Sequence, residues 1–179
     1  MDKTVIFIAG IYGVGKSTLC DGLKEKFNIS SFSAGDLISE INGETYGKNK
    51  VVKDKDKNQK ILITAVKKKL EEQSTFLLAG HFCIFNKNCD VEVIPDFVFK
   101  EIPISKIILL EADVQKIVDN IKRRDSKAYG IDAVERLGLA ERAQAENISA
   151  LLGVPLYIHQ MQFTQKDVEE VSTIINGEI

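Results

Sequence analysis

Gly10, Gly15, Lys16 and Ser17 fall in the pattern G-x-x-x-x-G-K-[ST], inside the stretch "IAGIYGVGKSTL". These residue types at this spacing suit one task, the holding of a phosphate chain. Gly10, Gly13 and Gly15 lack a Cβ, so a loop through them wraps closely and aims backbone N–H groups at phosphate oxygens. Val14 lies within the same turn. Lys16 supplies a mobile point charge for the β- and γ-phosphates. Ser17 is the expected Mg²⁺ ligand, and Thr18 the partner of a nearer phosphate. ATP with Mg²⁺ is therefore the expected donor.

The neighbouring residues supply the elements such a loop needs. "KTVIFIAG" is a continuous apolar run rich in β-branched residues, as in a buried parallel strand. "STLCDGLKEKF" places Leu19, Leu23 and Phe27 at helical spacing, and the positive end of that helix faces the phosphates.

The 179 residues suit one domain, read as 1–179, and a composition 44% hydrophobic and 28% charged is ordinary for a soluble globular chain. A net charge of −2 gives no general attraction to nucleic acid, and no apolar run reaches the roughly 18 residues of a membrane span. No membrane or nucleic-acid partner is expected, and the cytoplasm is the expected location. Cys20, Cys83 and Cys89 are irregularly spaced, so they read as reduced and mostly buried thiols rather than a disulfide or zinc framework.

Further along, "SSFSAGDLISEI" reads as a short strand running into a helix near Asp36, and "NGETYGKNKVVKDKDKNQK" as a polar loop with six lysines between Lys48 and Lys60. An amphipathic helix with Ile61, Leu62, Ala65, Val66 and Leu70 on one stripe leads into the strand "TFLLAG". "HFCIFNKNCDVEVIP" suggests a hairpin about Asn86 to Asp90, and "SKIILLEA" a second buried strand. Two helices follow, the second ended by Gly153; then come the strand "VPLYIH" and the helix "TQKDVEEVSTIING". Strands alternating with helices predict an α/β three-layer sandwich around a mostly five-stranded parallel sheet, with the phosphate-loop strand near its middle.

Phosphoryl transfer needs further positive groups around the migrating phosphate. Arg123 and Arg124, at a helix end before the polar "SKAYGID", are placed to swing over a bound nucleotide.

The order of "GIYGVGKST", "SAGDLI", "KDKDKNQKILITAVKKKL", "FLLAGHF", "VDNIKRRDSKAYGID" and "ERAQAENISALLGVPLYI" resembles the adenylate kinase and nucleoside-monophosphate kinase family, most closely its short archaeal-type members. The resemblance implies an acceptor-binding flap at about 36–75, a short lid at about 123–133, and transfer of the ATP γ-phosphate to a nucleotide or other small acceptor. It implies that Arg142 points at the transferring phosphates, and that Arg123 and the loop "HQMQF" flank the base. It leaves the oligomeric state open. Two departures stand out. Ala79 occupies the place of an aspartate that orders water on Mg²⁺, and "GDLISEI" and "GHFCIF" lack the arginines that grip an AMP phosphate in many relatives. Asp36 then orders a water, orients the acceptor or caps its helix, and His81 touches an acceptor oxygen or is a satisfied buried residue. A second reading is a nucleotide-driven switch without small-molecule kinase activity.

Overall fold

The computed structural model describes residues 3–42, 55–125 and 128–177. The lysines at 48, 50 and 53 of the expected flap and residues 126 and 127 of the expected lid lie outside them.

The apolar run after the N-terminus forms β1 (Thr4–Ala9), buried over its last five residues because it has a parallel neighbour on each side. The phosphate loop follows, then α1 (Lys16–Phe27). β2 (Ser30–Ser33) runs into α2 (Ala34–Asn42), and α3 (Lys55–Glu72) leads to β3 (Thr75–Gly80). β4 (Cys83–Phe85) and β5 (Val91–Val93) form the expected antiparallel hairpin. Asn86 closes its turn, accepting from the Asn88 and Asp90 amides on its side-chain oxygen at 2.8 and 3.0 Å.

The short helix α4 (Asp96–Lys100) was not evident in the sequence; five residues give too little apolar periodicity to reveal it. β6 (Ile104–Glu111), α5 (Val114–Asp125), α6 (Ile131–Leu152), β7 (Leu156–Gln160) and α7 (Gln165–Asn176) complete the chain. Gly153 ends α6 at φ 66°, the left-handed residue its position predicted.

The sheet runs β2-β3-β1-β6-β7 with every pairing parallel, so β1 is its middle strand and the cradle lies at the carboxyl edge. Helices cover the sheet to give the expected α/β sandwich. α1 packs with α7, close enough that a Cβ on Gly22 would stand 2.6 Å from a Val168 methyl. α6 lies along β6 and β7, touching α5, α4 and the hairpin.

Between sheet and helices, Phe7, Phe82 and Phe99 meet edge to face or tilted, their centroids 4.8 to 5.7 Å apart. Burial of each ring is worth about 1.5–3 kcal/mol, and here it pins the segment after β3 to β1.

Candidate active site

β1 ends at Ala9, and the chain turns through Gly10 to Gly15 before α1 begins. Gly13 has φ 77°, and a Cβ there would meet Ile121 at 2.8 Å and the Ile117 carbonyl at 3.0 Å, so the loop lies directly on α5. Asn120 fixes that contact, its side-chain amide donating to the Gly13 carbonyl at 2.9 Å. Ser17 and Thr18 stand in the first turn of α1, where backbone N–H groups have no carbonyl one turn back to meet them, and both are exposed to the cleft.

A cleft of about 1110 Å³ begins at this cradle. Its volume lies just above the about 300–1,000 Å³ usual for a single-ligand pocket. Lys16 folds back over the loop, donating from Nζ to the Gly10 and Ile11 carbonyls at 2.6 and 3.0 Å. His81 Nδ1 lies 2.8 Å from the same Gly10 oxygen. A carbonyl only accepts, so Nδ1 carries the proton, and its 3.5 Å approach to Lys16 Nζ is a contact between two donors.

At one end of the cleft, Met161 and Phe163 lie against Gly15; a Cβ on that glycine would stand 3.0 and 3.3 Å from their side chains. Lys116 reaches over the Phe163 ring at 6.0 Å, and Arg123 donates to Asn120 Oδ1 at 2.9 Å. The loop is held from beneath. Asp167 accepts from the Gln162 and Thr164 amides, both at 2.9 Å, and contacts His159 Nε2 at 2.9 Å.

The other end is built by α2, α3, the end of β3 and the hairpin. Asp36 faces the cleft from the first turn of α2, exposed, while Ser33 Oγ accepts the Asp36 amide at 3.0 Å. Ser33 therefore caps the helix, and Asp36 does not. Gln59 Oε1, in the same lining, is buried without a hydrogen-bond partner. Ala79 is buried, so the end of β3 offers a methyl where the resembled kinases carry a carboxylate. From the cradle to the hairpin runs a row of rings. Tyr12 lies 4.5 Å from His81 and 6.4 Å from Phe85, and Phe85 stacks on Tyr129 at 5.0 Å.

A family model described as the AAA domain matches residues 9–138, more than half of the chain. The chain belongs to the AAA domain family. Among solved structures, the AAA domain is similar to the shikimate kinase of Acinetobacter baumannii, solved with shikimate: TM-score 0.64, 10% identity, covering 98% of this chain and 94% of that one. The shikimate kinase of Aquifex aeolicus gives 0.61 at 13% identity, covering 98% of both chains. A sugar kinase from Janibacter sp. HTCC2649 gives 0.57 at 15%, covering 97% of this chain and 95% of that one. At these identities the likeness is one of fold, which is that of the P-loop kinases. No curated protein matches the chain.

In this AAA domain, Gly13, Gly15, Lys16, Ser17, Thr18, Asp36, His81, Arg123 and Arg124 line one cleft. Three expected residues do not line it. The Val14 side chain is fully buried in the core. The Gly10 amide turns inward, away from the cradle, and donates to Glu141 at 3.1 Å. Arg142 stands outside the cleft, its Nε 3.5 Å from Glu111 and 3.7 Å from Glu146. Arg124 lines the cleft while paired through two hydrogen bonds, at 2.8 and 2.7 Å, with its neighbour Asp125.

Glu141 is the residue the sequence reading missed. It is 1% exposed and lies on the buried stripe of α6 with Val134, Leu137, Ala145 and Ile148. A carboxylate on an apolar stripe was the available signal, because such a group is buried only where donors meet it. Besides Gly10, Glu141 accepts from the Phe82 and Cys83 amides at 2.7 to 3.0 Å. Burial pushes its pKa up, opposed by the Phe82 amide, the charge of Lys16 and the Cys83 and Gly10 amides. The Gly10, Phe82 and Cys83 groups that meet it are all N–H donors, which suits the ionised form.

The cradle fits a nucleotide triphosphate, with glycine backbone close to the cleft, first-turn amides and Lys16 together. Mg²⁺ fits less fully. Ser17 offers a hydroxyl, but no cluster of three His, Cys, Asp or Glu exists among the described residues. Octahedral Mg²⁺ needs few direct protein ligands when phosphate oxygens and waters complete it. Among the described residues no helix is long and apolar enough to cross a membrane.

Proposed function

We propose that this AAA domain is an ATP-dependent phosphotransferase acting on a small-molecule acceptor. The observation that carries the reading is the continuity of the cleft, which runs from the Lys16–Thr18 cradle to the polar pocket of Asp36, Gln59 and His81. The triphosphate lies across the loop, and Lys16 exchanges the Gly10 and Ile11 carbonyls for phosphate oxygens. Ser17 would hold a Mg²⁺ ion, which would neutralise phosphate charge. The base lies toward Phe163 and Arg123. The acceptor oxygen attacks the γ-phosphorus in line; the bond to the β–γ bridging oxygen breaks and ADP leaves. An attacking hydroxyl passes its proton to Asp36. Arg123 and Arg124, at the start of the lid, stabilise the charge on the migrating group. Arg142 joins them only if it leaves Glu111 and Glu146.

The nucleoside-monophosphate acceptor implied by the adenylate kinase resemblance is a narrower form of this reading. The lining contributed by α2, α3, the end of β3 and the hairpin, among the described residues, contains Asp36, Asn58, Gln59, His81 and Glu92 and no arginine or lysine. Two carboxylates, two neutral amides and a histidine, with no arginine or lysine among them, favour a hydroxyl-bearing molecule over one bringing its own phosphate. Ala79 favours the second reading, a nucleotide switch, because the end of β3 brings no carboxylate to the metal side.

One experiment separates them. The protein is given Mg²⁺ and ATP, alone and with nucleoside monophosphates, nucleosides, sugars or hydroxy acids, and the products are followed by phosphorus NMR. ADP formed in proportion to a phosphorylated acceptor is expected, and Lys16→Ala is expected to abolish it. Full turnover by Lys16→Ala, or slow acceptor-independent phosphate release by the wild type, overturns the phosphotransferase reading.

A further inference from the structure

The buried carboxylate of Glu141 joins two segments that the reaction needs to hold in register. Oε1 accepts the Gly10 amide at 3.1 Å, at the head of the phosphate loop. The Phe82 amide reaches Oε1 and Oε2 at 3.0 and 2.9 Å, and the Cys83 amide reaches Oε2 at 2.7 Å, both at the start of the acceptor loop and hairpin. The same two segments meet a second time where His81 Nδ1 donates to the Gly10 carbonyl at 2.8 Å. Gly10 is thus gripped on its N–H by Glu141 and on its carbonyl by His81 and Lys16.

Lys16 serves two masters in this arrangement. Its Nζ bonds the Gly10 carbonyl, and its charge attracts the Glu141 carboxylate. When Lys16 leaves for a phosphate, the carboxylate shares that cation with the nucleotide and leans more heavily on its remaining N–H donors. In a dry interior those charge-assisted bonds strengthen, and two of the three donors belong to the acceptor loop. We infer that Glu141 is a positioning residue that transmits nucleotide occupancy of the phosphate cradle to the acceptor loop at 81–83. The inference rests on the cradle's binding a nucleotide, as the phosphotransferase reading holds. Linkage makes the effect mutual, so a molecule that orders residues 81–83 also tightens nucleotide binding.

The test is a nitrogen-15 NMR comparison of the full chain with and without saturating ADP and Mg²⁺. In the wild type, the Phe82 and Cys83 amide protons are expected to move downfield and to slow their exchange by about fivefold, the lower end of ordinary site-to-site coupling. In Glu141→Gln, saturated in the same way, the Phe82 and Cys83 responses are expected to disappear while those of Ser17 and Thr18 remain. A residue that only supported the fold would shift stability without separating these two sets. Where Glu141→Gln does not fold or does not bind ADP, Glu141→Asp takes its place, with a weakened response expected from its shorter reach. An unchanged Phe82 and Cys83 response in the variant overturns the inference. So does an absent response in a wild type that binds ADP, and the phosphotransferase reading then stands. A wild type that does not bind ADP overturns both.

Discussion

At the scale of single residues, side chains are explained by what surrounds them more than by their type. Burial pushes the Cys20 thiol up to about 11, with Ser31 and Lys16 opposing, and pushes Cys83 up to about 12. Cys89 is exposed on the hairpin turn. Thiol titration of the native protein at pH 8 is therefore expected to show one fast cysteine and two that react only on unfolding; three fast thiols would contradict the packing. Gly15 sits at φ 99° against Met161 and Phe163. Gly15→Ala adds a clash to left-handed backbone strain, so a loss of about 1–3 kcal/mol is expected in denaturant unfolding, with nucleotide binding lost by calorimetry. Tyr12 is a packing residue by the same reasoning. Burial holds its phenol above its ordinary range, which suits the ring row and not proton transfer.

At the scale of elements, the Asp167 carboxylate ties the end of β7 to the first turn of α7. Burial alone would raise its pKa, but the Gln162 amide, His159 and the Thr164 amide together hold it below its ordinary 3.8. A depressed carboxylate stabilises the fold above its unfolded pKa and loses that contribution as the pH falls through the folded one. Asp167→Asn is therefore expected to be about 1–3 kcal/mol less stable than the wild type at pH 7, and the two are expected to converge in melts taken below pH 3.8. Elements of this kind were legible where local pattern decides them. β1 announced itself through its apolar run, the hairpin through its Asn86 turn, and α6 through Gly153. The Glu141 clasp was not legible, because its partners lie 58, 59 and 131 residues away and no periodicity records such a distance. The direction of Arg142 was not legible for a related reason. Resemblance gave its position on α6, but Glu111, at the end of β6, decides which way it turns.

At the scale of the whole molecule, five parallel strands place the cradle and the loops at 161–164 and 81–83 on one edge of the sheet, so binding there acts on the entire fold. Saturation with ADP at a hundred times its dissociation constant is expected to stabilise the protein by about 2.7 kcal/mol and to raise the melting temperature by about 5–10 °C. An unchanged melt with ADP bound by calorimetry would mean that the ligand sits on a part that opens separately. The order of the strands also has a bearing on how the protein is born. β1 leaves the ribosome before β3 and β6, the strands it pairs with, and the amide just after it waits for Glu141, 131 residues later. At about 5–20 residues per second, the nascent phosphate loop spends on the order of ten seconds without its anchor. Until β3 emerges, an apolar strand meant for the centre of the sheet has no neighbour of its own, which makes the newborn chain, rather than the finished protein, the form most in need of a chaperone.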